Sequence, residues 1–167
     1  MAEWWRRGDP SMVMEHPWLA PKVVEHLESL LRPSWHVLEH GSGGSTIWFA
    51  ERVKTVTSIE ANIKWMESVS KIVPDNVTMA ANRLAITPGK YNLLLIDGEP
   101  VTDRIGYIIK AAEIVKPGGW VVLDNANRPE YALERTELQT VAATYQTFDC
   151  NEDDTHYLVT EFYRMPK

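Results

Sequence analysis

The sequence predicts an α/β domain with a doubly wound, mostly parallel seven-stranded sheet and helices on both faces. Short β-branched or apolar runs alternate with segments whose apolar residues recur at helical spacing, which is the pattern of such folds. The continuous apolar run YNLLLID, at residues 91–97, is typical of a central strand covered on both faces. No helix separates the last two predicted strands, so the last strand is expected to be antiparallel.

Helices are predicted where apolar residues recur every three to four positions. The first, Pro17 to Arg32, carries on one face the apolar side chains of Val23, Val24, Leu27, Leu30 and Leu31. Pro33 ends this helix, whereas Asn62 can cap the third and Pro74 can end it. The predicted helices span residues 17–32, 45–53, 63–73, 102–115 and 129–141.

Strands are predicted from β-branched and apolar runs that end at polar or turn residues. They span residues 36–39, 55–60, 77–81, 91–97, 120–123, 145–148 and 156–164, with a turn over Lys116 to Gly119 before the fifth. Four strands end in an acid: Glu39, Glu60, Asp97 and Asp124. Because ligands of such folds bind beyond the carboxyl ends of the strands, these acids predict a ligand site there.

The stretch from Trp35 to Ala50, WHVLEHGSGGSTIWFA, gives the strongest sign of a bound ligand. Its glycines lie between a strand and a helix, where they let the backbone approach a ligand closely. The helix start behind them offers unpaired N–H groups. Glu60 follows Gly41 by nineteen residues and ends the next strand, as a ribose-binding carboxylate would. An ordinary Gly/Ser loop is the alternative interpretation.

Composition favours a single globular domain in a reducing, cytoplasmic compartment. The chain of 167 residues is 44% apolar, enough for a sizeable core. Its one cysteine, Cys150, can form neither an internal disulfide nor a cysteine zinc site. No apolar run reaches the roughly 18 residues of a membrane span, and the N-terminus lacks the apolar core of a signal peptide. No membrane partner is therefore expected.

The charge pattern favours a small-molecule ligand over nucleic acid. The net charge is −6, and the Lys and Arg residues are scattered, whereas a long nucleic-acid interface needs clustered cations. Of seven tryptophans, Trp4, Trp5 and Trp18 precede the first strand. The segment 1–33 that holds them either packs as ordinary core or forms an aromatic lid over a substrate pocket. It could also pack on a second copy, so a homo-oligomer stays open.

Together these motifs resemble those of class I S-adenosylmethionine-dependent methyltransferases, which have a Rossmann-like fold. The resemblance runs from about Pro17 to Tyr163 and rests on E-x-G-x-G from Glu39, TSIEAN, LLLIDG and KPGGWVVLDN. It implies one methyltransferase domain over residues 1–167. In the family, the glycine turn holds the methionine part of the cofactor, and the acid after the second strand accepts both ribose hydroxyls. The implied cofactor-binding residues are Glu39, Gly41, Ser42, Gly43, Gly44, Ser45, Thr46, Glu60, Ala61 and Asp97.

The dinucleotide-binding fingerprint G-x-G-x-x-G is the nearest rival, and two residues argue against it. The sixth position of the fingerprint is Thr46 here instead of glycine. Glu39, two residues before the first glycine, would repel a pyrophosphate but suits a cationic amino acid head. S-adenosylmethionine therefore fits the motif better than NAD.

Asp97, Asp124 and Asn125 resemble the metal-binding residues of catechol-type and caffeoyl-CoA-type O-methyltransferases, which implies Mg²⁺. The ion would lower the pKa of a substrate hydroxyl and align it with the methyl group. The catechol enzymes place a lysine base three residues after the first aspartate, where this chain has Pro100. In the alternative interpretation Asp97 contacts cofactor or solvent, and the other two residues end the strand.

The implied function is methyl transfer to a small acceptor, at oxygen, with Asp97, Asp124 and His156 as catalytic candidates. His156 could act as a general base at neutral pH. Arg104 is expected near the substrate, where it could bind an acidic group or pair with an acid on the helix surface. The side chain of His40 is expected to point away from the cofactor.

Two further points complete the sequence-based hypothesis. Trp65 keeps helical spacing with apolar neighbours, so it is expected in the core instead of stacked on adenine. The run IDGEP differs from the Asp/Asn-Pro-Pro-aromatic motif of DNA amino-methyltransferases. The alternative function is a catalytically inactive cofactor-binding module, acting as a sensor or as a subunit of a larger assembly.

Overall fold

The computed structural model describes residues 16–149 and 159–167 of the chain. Strands β1 to β7 span His36–His40, Thr55–Ile59, Val77–Ala80, Tyr91–Ile96, Val115–Leu123, Thr144–Asp149 and Val159–Arg164. Helices α1 to α5 span Pro21–Leu30, Gly44–Ala50, Ile63–Val69, Val101–Ile114 and Ala132–Val141. Short 3₁₀ turns lie at Arg83–Ala85, between β3 and β4, and at Pro129–Tyr131, before α5.

The strands form one sheet in the order β3-β2-β1-β4-β5-β7-β6. All neighbouring pairs are parallel except those of β7, which runs antiparallel to both β5 and β6. The predicted fold class, including the antiparallel last strand, is therefore confirmed. The strand order reverses at β1, which lies between β2 and β4, and ligands of open α/β sheets bind at such a switch point.

Two apolar layers cover the sheet, one on each face. On one face, Val23 and Leu27 of α1 and Phe49 of α2 are fully buried. On the other face, α4 and α5 pack against the sheet. The side chains of β4 alternate between the layers, since Leu93 packs in the first and Leu94 in the second. This burial on both faces explains why the strand is apolar throughout.

Several predicted boundaries were wrong. Helix α1 begins at Pro21 instead of Pro17, because the residue before a proline is disfavoured in the helical region, and Ala20 accordingly has an extended conformation with a ψ of 143°. Helix α3 ends at Val69 and not at residue 73, although Asn62 caps it as predicted. The predicted turn before the fifth strand lies inside β5. There Gly118 has a left-handed φ of +68°, and the register with β4 shifts as in a bulge.

The aromatic lid and the histidine base were predicted on residues that lie mostly outside the described ranges. Trp4, Trp5 and His156 lie outside the described ranges, so the aromatic lid and the histidine base stay predictions. Trp18 is described and is mostly exposed. Among the described helices, none has both the length and the apolar character needed to cross a lipid bilayer.

Candidate functional site

The glycine turn lies between β1 and α2, at the carboxyl ends of the central strands. Gly41 has a φ of +96°, and a Cβ there would lie 2.8 Å from the Cα of Gly98, so the backbones that follow β1 and β4 touch. At Gly43 a Cβ would meet only the Trp65 ring, at 4.0 Å. The turn therefore presents open backbone at Gly43, where a ligand can approach closely.

Hydrogen bonds hold every polar atom of Ser42, at the centre of this turn. Its backbone N–H and its hydroxyl each donate to Oε2 of Glu60 at 3.1 Å. Its carbonyl accepts the indole N–H of Trp65 at 2.8 Å. Glu60 also accepts the backbone N–H of Asn62, on Oε1, at 2.8 Å. Burial raises the pKa of Glu60, and these hydrogen bonds oppose that shift.

Trp65 is 4% exposed, so its predicted place in the core is confirmed. Its bond to the Ser42 carbonyl gives it a second role, because it fixes the shape of the glycine turn. Trp65→Phe keeps most of the packing and removes the indole N–H that donates to Ser42. We expect a stability loss of about 1 kcal/mol and a several-fold weaker affinity for the ligand of the turn. Thermal unfolding and calorimetry check this, and unchanged affinity would contradict it.

Glu39 lies in β1 beneath the turn and is 1% exposed. Its carboxyl accepts three hydroxyl hydrogen bonds: from Ser45, from Thr46 at 2.5 Å and from Ser58 at 2.9 Å. Burial raises its pKa to about 7, although these bonds pull the other way. The predicted contact between Glu39 and a cofactor stays a prediction. In this structure the carboxyl mainly ties β1, β2 and α2 together.

The raised pKa of Glu39 makes the stability of the fold depend on pH. The folded protein keeps this proton up to about pH 7, whereas a free glutamate loses it near 4.5. The stabilising contribution is therefore fully present below about pH 4.5 and is lost as pH rises through 7. Glu39→Gln keeps a neutral group, so its melting temperature should rise relative to wild type across this range.

Thermal unfolding between pH 4.5 and 7.5 measures this difference between the two proteins. Glu67→Gln is the matched control, because Glu67 is an exposed residue of α3. Its melting temperature should stay parallel to that of wild type. If the melting temperature of Glu39→Gln also followed that of wild type at every pH, the Glu39 carboxyl would not be the cause of the pH-dependent stability.

A cavity of about 170 Å³ opens beside Glu60. Ala61, a predicted cofactor residue, lines it together with Asn82 and Arg83, which follow β3. The ring of Tyr107, on α4, forms another wall. The cavity thus lies at the switch point of the sheet, next to the acid that was predicted to bind ribose, and its flat walls suit an aromatic ring.

His40 also lines this cavity, whereas the expectation that its side chain points away from a cofactor stays a prediction. Its ring is 2% exposed and stacks on Tyr107 with ring centroids 4.2 Å apart. Burial lowers the pKa of His40 to about 3, so the imidazole is neutral. Its Nδ1 has no hydrogen-bond partner among the described residues. The sequence does carry a signal for the direction of the His40 side chain. Successive residues of a strand face opposite sides of the sheet, so His40 must lie on the face opposite Glu39.

Arg104 joins the ends of β4 and β5 from inside the protein. It is 1% exposed, and its Nε donates to the carbonyl of Gly98 at 2.9 Å. Its terminal nitrogens donate to the carbonyls of Asp124, at 2.7 Å, and Asp97, at 2.6 Å. One of them also lies 3.3 Å from Oδ1 of Asp97. Arg104 is buried and pairs with Asp97, so the alternative of an ion pair on the helix surface was wrong, whereas the substrate contact stays a prediction.

Asp97 and Asp124 lie together at these strand ends, as predicted. The Asp97 side chain is 31% exposed, whereas Asp124 is buried and accepts the Thr160 hydroxyl at 2.7 Å. Burial and the neighbouring Asp124 charge raise the pKa of Asp97, against the pull of Arg104. Burial also raises the pKa of Asp124. The ends of β4 and β5 thus present a carboxyl that reaches solvent and has a raised pKa, as a general base needs.

The predicted magnesium site is not supported. Within residues 16–149 and 159–167, no three His, Cys, Asp or Glu side chains form a group that could hold a metal ion. Oxygens of the predicted ligands already have protein partners, because Asp97 pairs with Arg104 and Asn125 accepts Arg128 at 3.0 Å. The residues present therefore do not fit a hard cation that needs several free oxygens.

No protein-family model matches the chain, and no curated protein matches it in sequence. Solved structures do match its fold. An O-methyltransferase from Thermotoga maritima matches with a TM-score of 0.72 and 16% identity, over 96% of this chain and 71% of that one. The tRNA (m1A58) methyltransferase TrmI from Aquifex aeolicus matches with a TM-score of 0.71 and 15% identity, over 89% and 70%.

The O-methyltransferase TomG from Streptomyces achromogenes, solved in complex with S-adenosylmethionine, matches with a TM-score of 0.63 and 18% identity, over 87% of this chain and 79% of that one. This chain has the fold of the class I S-adenosylmethionine-dependent methyltransferases. Proteins of this methyltransferase fold act on different acceptors, since the three matches include a tRNA enzyme and O-methyltransferases. The acceptor therefore has to be inferred from the residues of this chain.

Proposed function

We propose that this protein binds S-adenosylmethionine and transfers its methyl group to a small acceptor, at oxygen. The observation that carries the proposal is the pairing of Ser42 with Glu60, which ties the glycine turn to the acid beside the cavity. This arrangement lies at the switch point of a methyltransferase fold. The Tyr107 ring in the cavity wall would face the base of a nucleoside, and the carboxylate next to the cavity would face its ribose.

Each part of the proposed cofactor has a set of residues to hold it. A carboxylate has about four lone-pair sites, and those of Glu60 already accept bonds from Ser42, Asn62 and the backbone of Ala61. Glu60 would therefore accept the ribose hydroxyls in exchange for protein donors, beginning with the Ser42 hydroxyl, which can rotate away. The cavity between Ala61 and Tyr107 would take the base, and the backbone at Gly43 would face the methionine part. When bound, S-adenosylmethionine supplies an electrophilic methyl group.

Asp97 is the residue proposed to receive the proton of the acceptor. Methylation of an acceptor hydroxyl would release the hydroxyl proton, and a base of the protein would have to receive it. The Asp97 carboxyl reaches solvent, and its raised pKa makes it a stronger base than an ordinary aspartate. The charge of Asp124, at the end of the next strand, contributes to the raised pKa of Asp97. His156 stays an alternative base.

A small acceptor is favoured over RNA by the charge of the chain. Its net charge is −6, and its cations are scattered, whereas RNA binding needs a cluster of them. Two cations near the proposed site, Arg104 and Arg128, are already paired with Asp97 and Glu99. The tRNA methyltransferase with the same fold makes RNA the rival acceptor.

Transfer of a labelled methyl group to a panel of small hydroxyl compounds, peptides and RNA tests this function. We expect label in small hydroxyl compounds, and much less in the Asp97→Asn variant at equal cofactor occupancy. Label in RNA alone would contradict the small-molecule acceptor. Cofactor binding without transfer to any member of the panel would favour an inactive binding module.

A further inference from the structure

The carboxyl ends of β4 and β5 carry a positive charge that belongs to the chain itself. The guanidinium of Arg104 lies 3.3 Å from Oδ1 of Asp97 and donates to the backbone carbonyls of Asp97, Gly98 and Asp124. Four contacts from one planar, nearly unexposed group fix its position. The positive charge of Arg104 is therefore held at this place, whereas an exposed lysine could move its charge into solvent.

The arrangement is unfavourable for a divalent cation. Mg²⁺ requires nearly octahedral oxygen ligands, yet Asp97 pairs with Arg104, and Asp124 accepts the Thr160 hydroxyl. Asn125 is likewise bonded to a protein donor. A dication beside Asp97 would also lie close to the guanidinium in a partly buried site, where like charges repel more strongly than in water.

We infer that Arg104 is a positioning residue that holds Asp97 toward the acceptor at the place where catechol-type O-methyltransferases use a metal ion. The site would then take acceptors that do not chelate a metal. This inference rests on the proposed methyl transfer and narrows its substrate class. A metal selects neighbouring oxygens because it binds both of them. Asp97 alone selects a single hydroxyl that can donate to its carboxylate.

Titration with Mn²⁺, followed by electron paramagnetic resonance, tests the inference without cofactor or acceptor. Wild type and Asp97→Asn should bind Mn²⁺ equally weakly, because no ion uses Asp97. A wild-type Mn²⁺ site that Asp97→Asn abolishes would overturn the inference. Arg104→Gln removes the charge, so this variant, when folded, should bind Mn²⁺ about tenfold more tightly than wild type. Arg104→Lys keeps the charge and should not.

A merely structural arginine predicts no difference in Mn²⁺ binding among the folded Arg104 variants. Arg104→Gln that is folded by circular dichroism and binds Mn²⁺ no better than wild type therefore refutes the role of the charge. If Arg104→Gln does not fold, the Mn²⁺ affinities of wild type and Asp97→Asn test the inference by themselves. Lys110→Gln is the control on the same helix, since Lys110 is exposed and pairs with Glu113 instead of Asp97.

The Mn²⁺ titration separates failure of this inference from failure of the proposed function. A protein that shows the expected Mn²⁺ pattern but transfers no methyl group would refute only the proposed function. In an active protein, EDTA should leave transfer to a monohydroxy acceptor unchanged. A loss of that transfer with EDTA, restored by Mg²⁺, would overturn the inference and leave the methyltransferase activity standing.

Discussion

Glu60→Ala should weaken the affinity for S-adenosylmethionine by about 100-fold, or abolish binding. The variant loses the carboxylate proposed to accept the ribose hydroxyls, and hydrogen bonds to a charged group contribute about 1.5–3 kcal/mol each. It also releases both Ser42 donors, so the glycine turn loses its tie to the acid. Isothermal titration calorimetry of the two proteins measures the change.

The control for this prediction is Glu67→Ala, on the exposed side of α3. Its cofactor affinity should match that of wild type. Glu60→Gln should fall between wild type and Glu60→Ala, because the amide keeps one acceptor oxygen but lacks the charge. Wild-type affinity in Glu60→Ala, with the fold intact by circular dichroism, would show that the cofactor lies elsewhere.

Arg104→Met should destabilise the fold by about 3–5 kcal/mol, because removing one partner of a buried ion pair leaves the other uncompensated. The variant leaves three backbone carbonyls, at residues 97, 98 and 124, without their guanidinium donors. Methionine replaces the unbranched aliphatic part of the arginine side chain but offers no donor. We expect the melting temperature to fall on the order of 10 °C.

Arg128→Met provides the matched comparison for this prediction. Arg128 also bridges the ends of β4 and β5, through Glu99 and Asn125, but its side chain is 35% exposed. Exposed ion pairs contribute at most about 1 kcal/mol, so its melting temperature should change little. Equal losses in the two variants, by thermal unfolding, would mean that burial of Arg104 is not what matters.

The fold could be predicted from the sequence because its signals are local and repeated. Apolar runs such as that of β4 and helical spacing such as that of α1 each depend on neighbouring residues. Bulges depend on pairing with other strands instead, so the glycine-containing turn before Trp120 could not be recognised as part of β5. Gly118 would end a strand in most sequences, but here its N–H donates to the carbonyl of Pro166, just after β7, at 2.7 Å.

The site could be predicted only in part, for a related reason. Glu39, Glu60, Asp97 and Asp124 end parallel strands, so topology alone brings them to one edge. What each acid contacts depends on side chains distant in the sequence. Periodicity does not reveal that Arg104 is buried under two strand ends, because a charged residue is expected on the surface.

Calorimetric titration of the protein with S-adenosylmethionine, and separately with NAD, tests the central claim most directly. We expect one S-adenosylmethionine per chain to bind and NAD to give no heat of binding at the same site. S-adenosylhomocysteine, which has the same nucleoside and amino acid parts, should compete. Binding of NAD, without binding of S-adenosylmethionine, would contradict the account, because the glycine turn would then serve a dinucleotide.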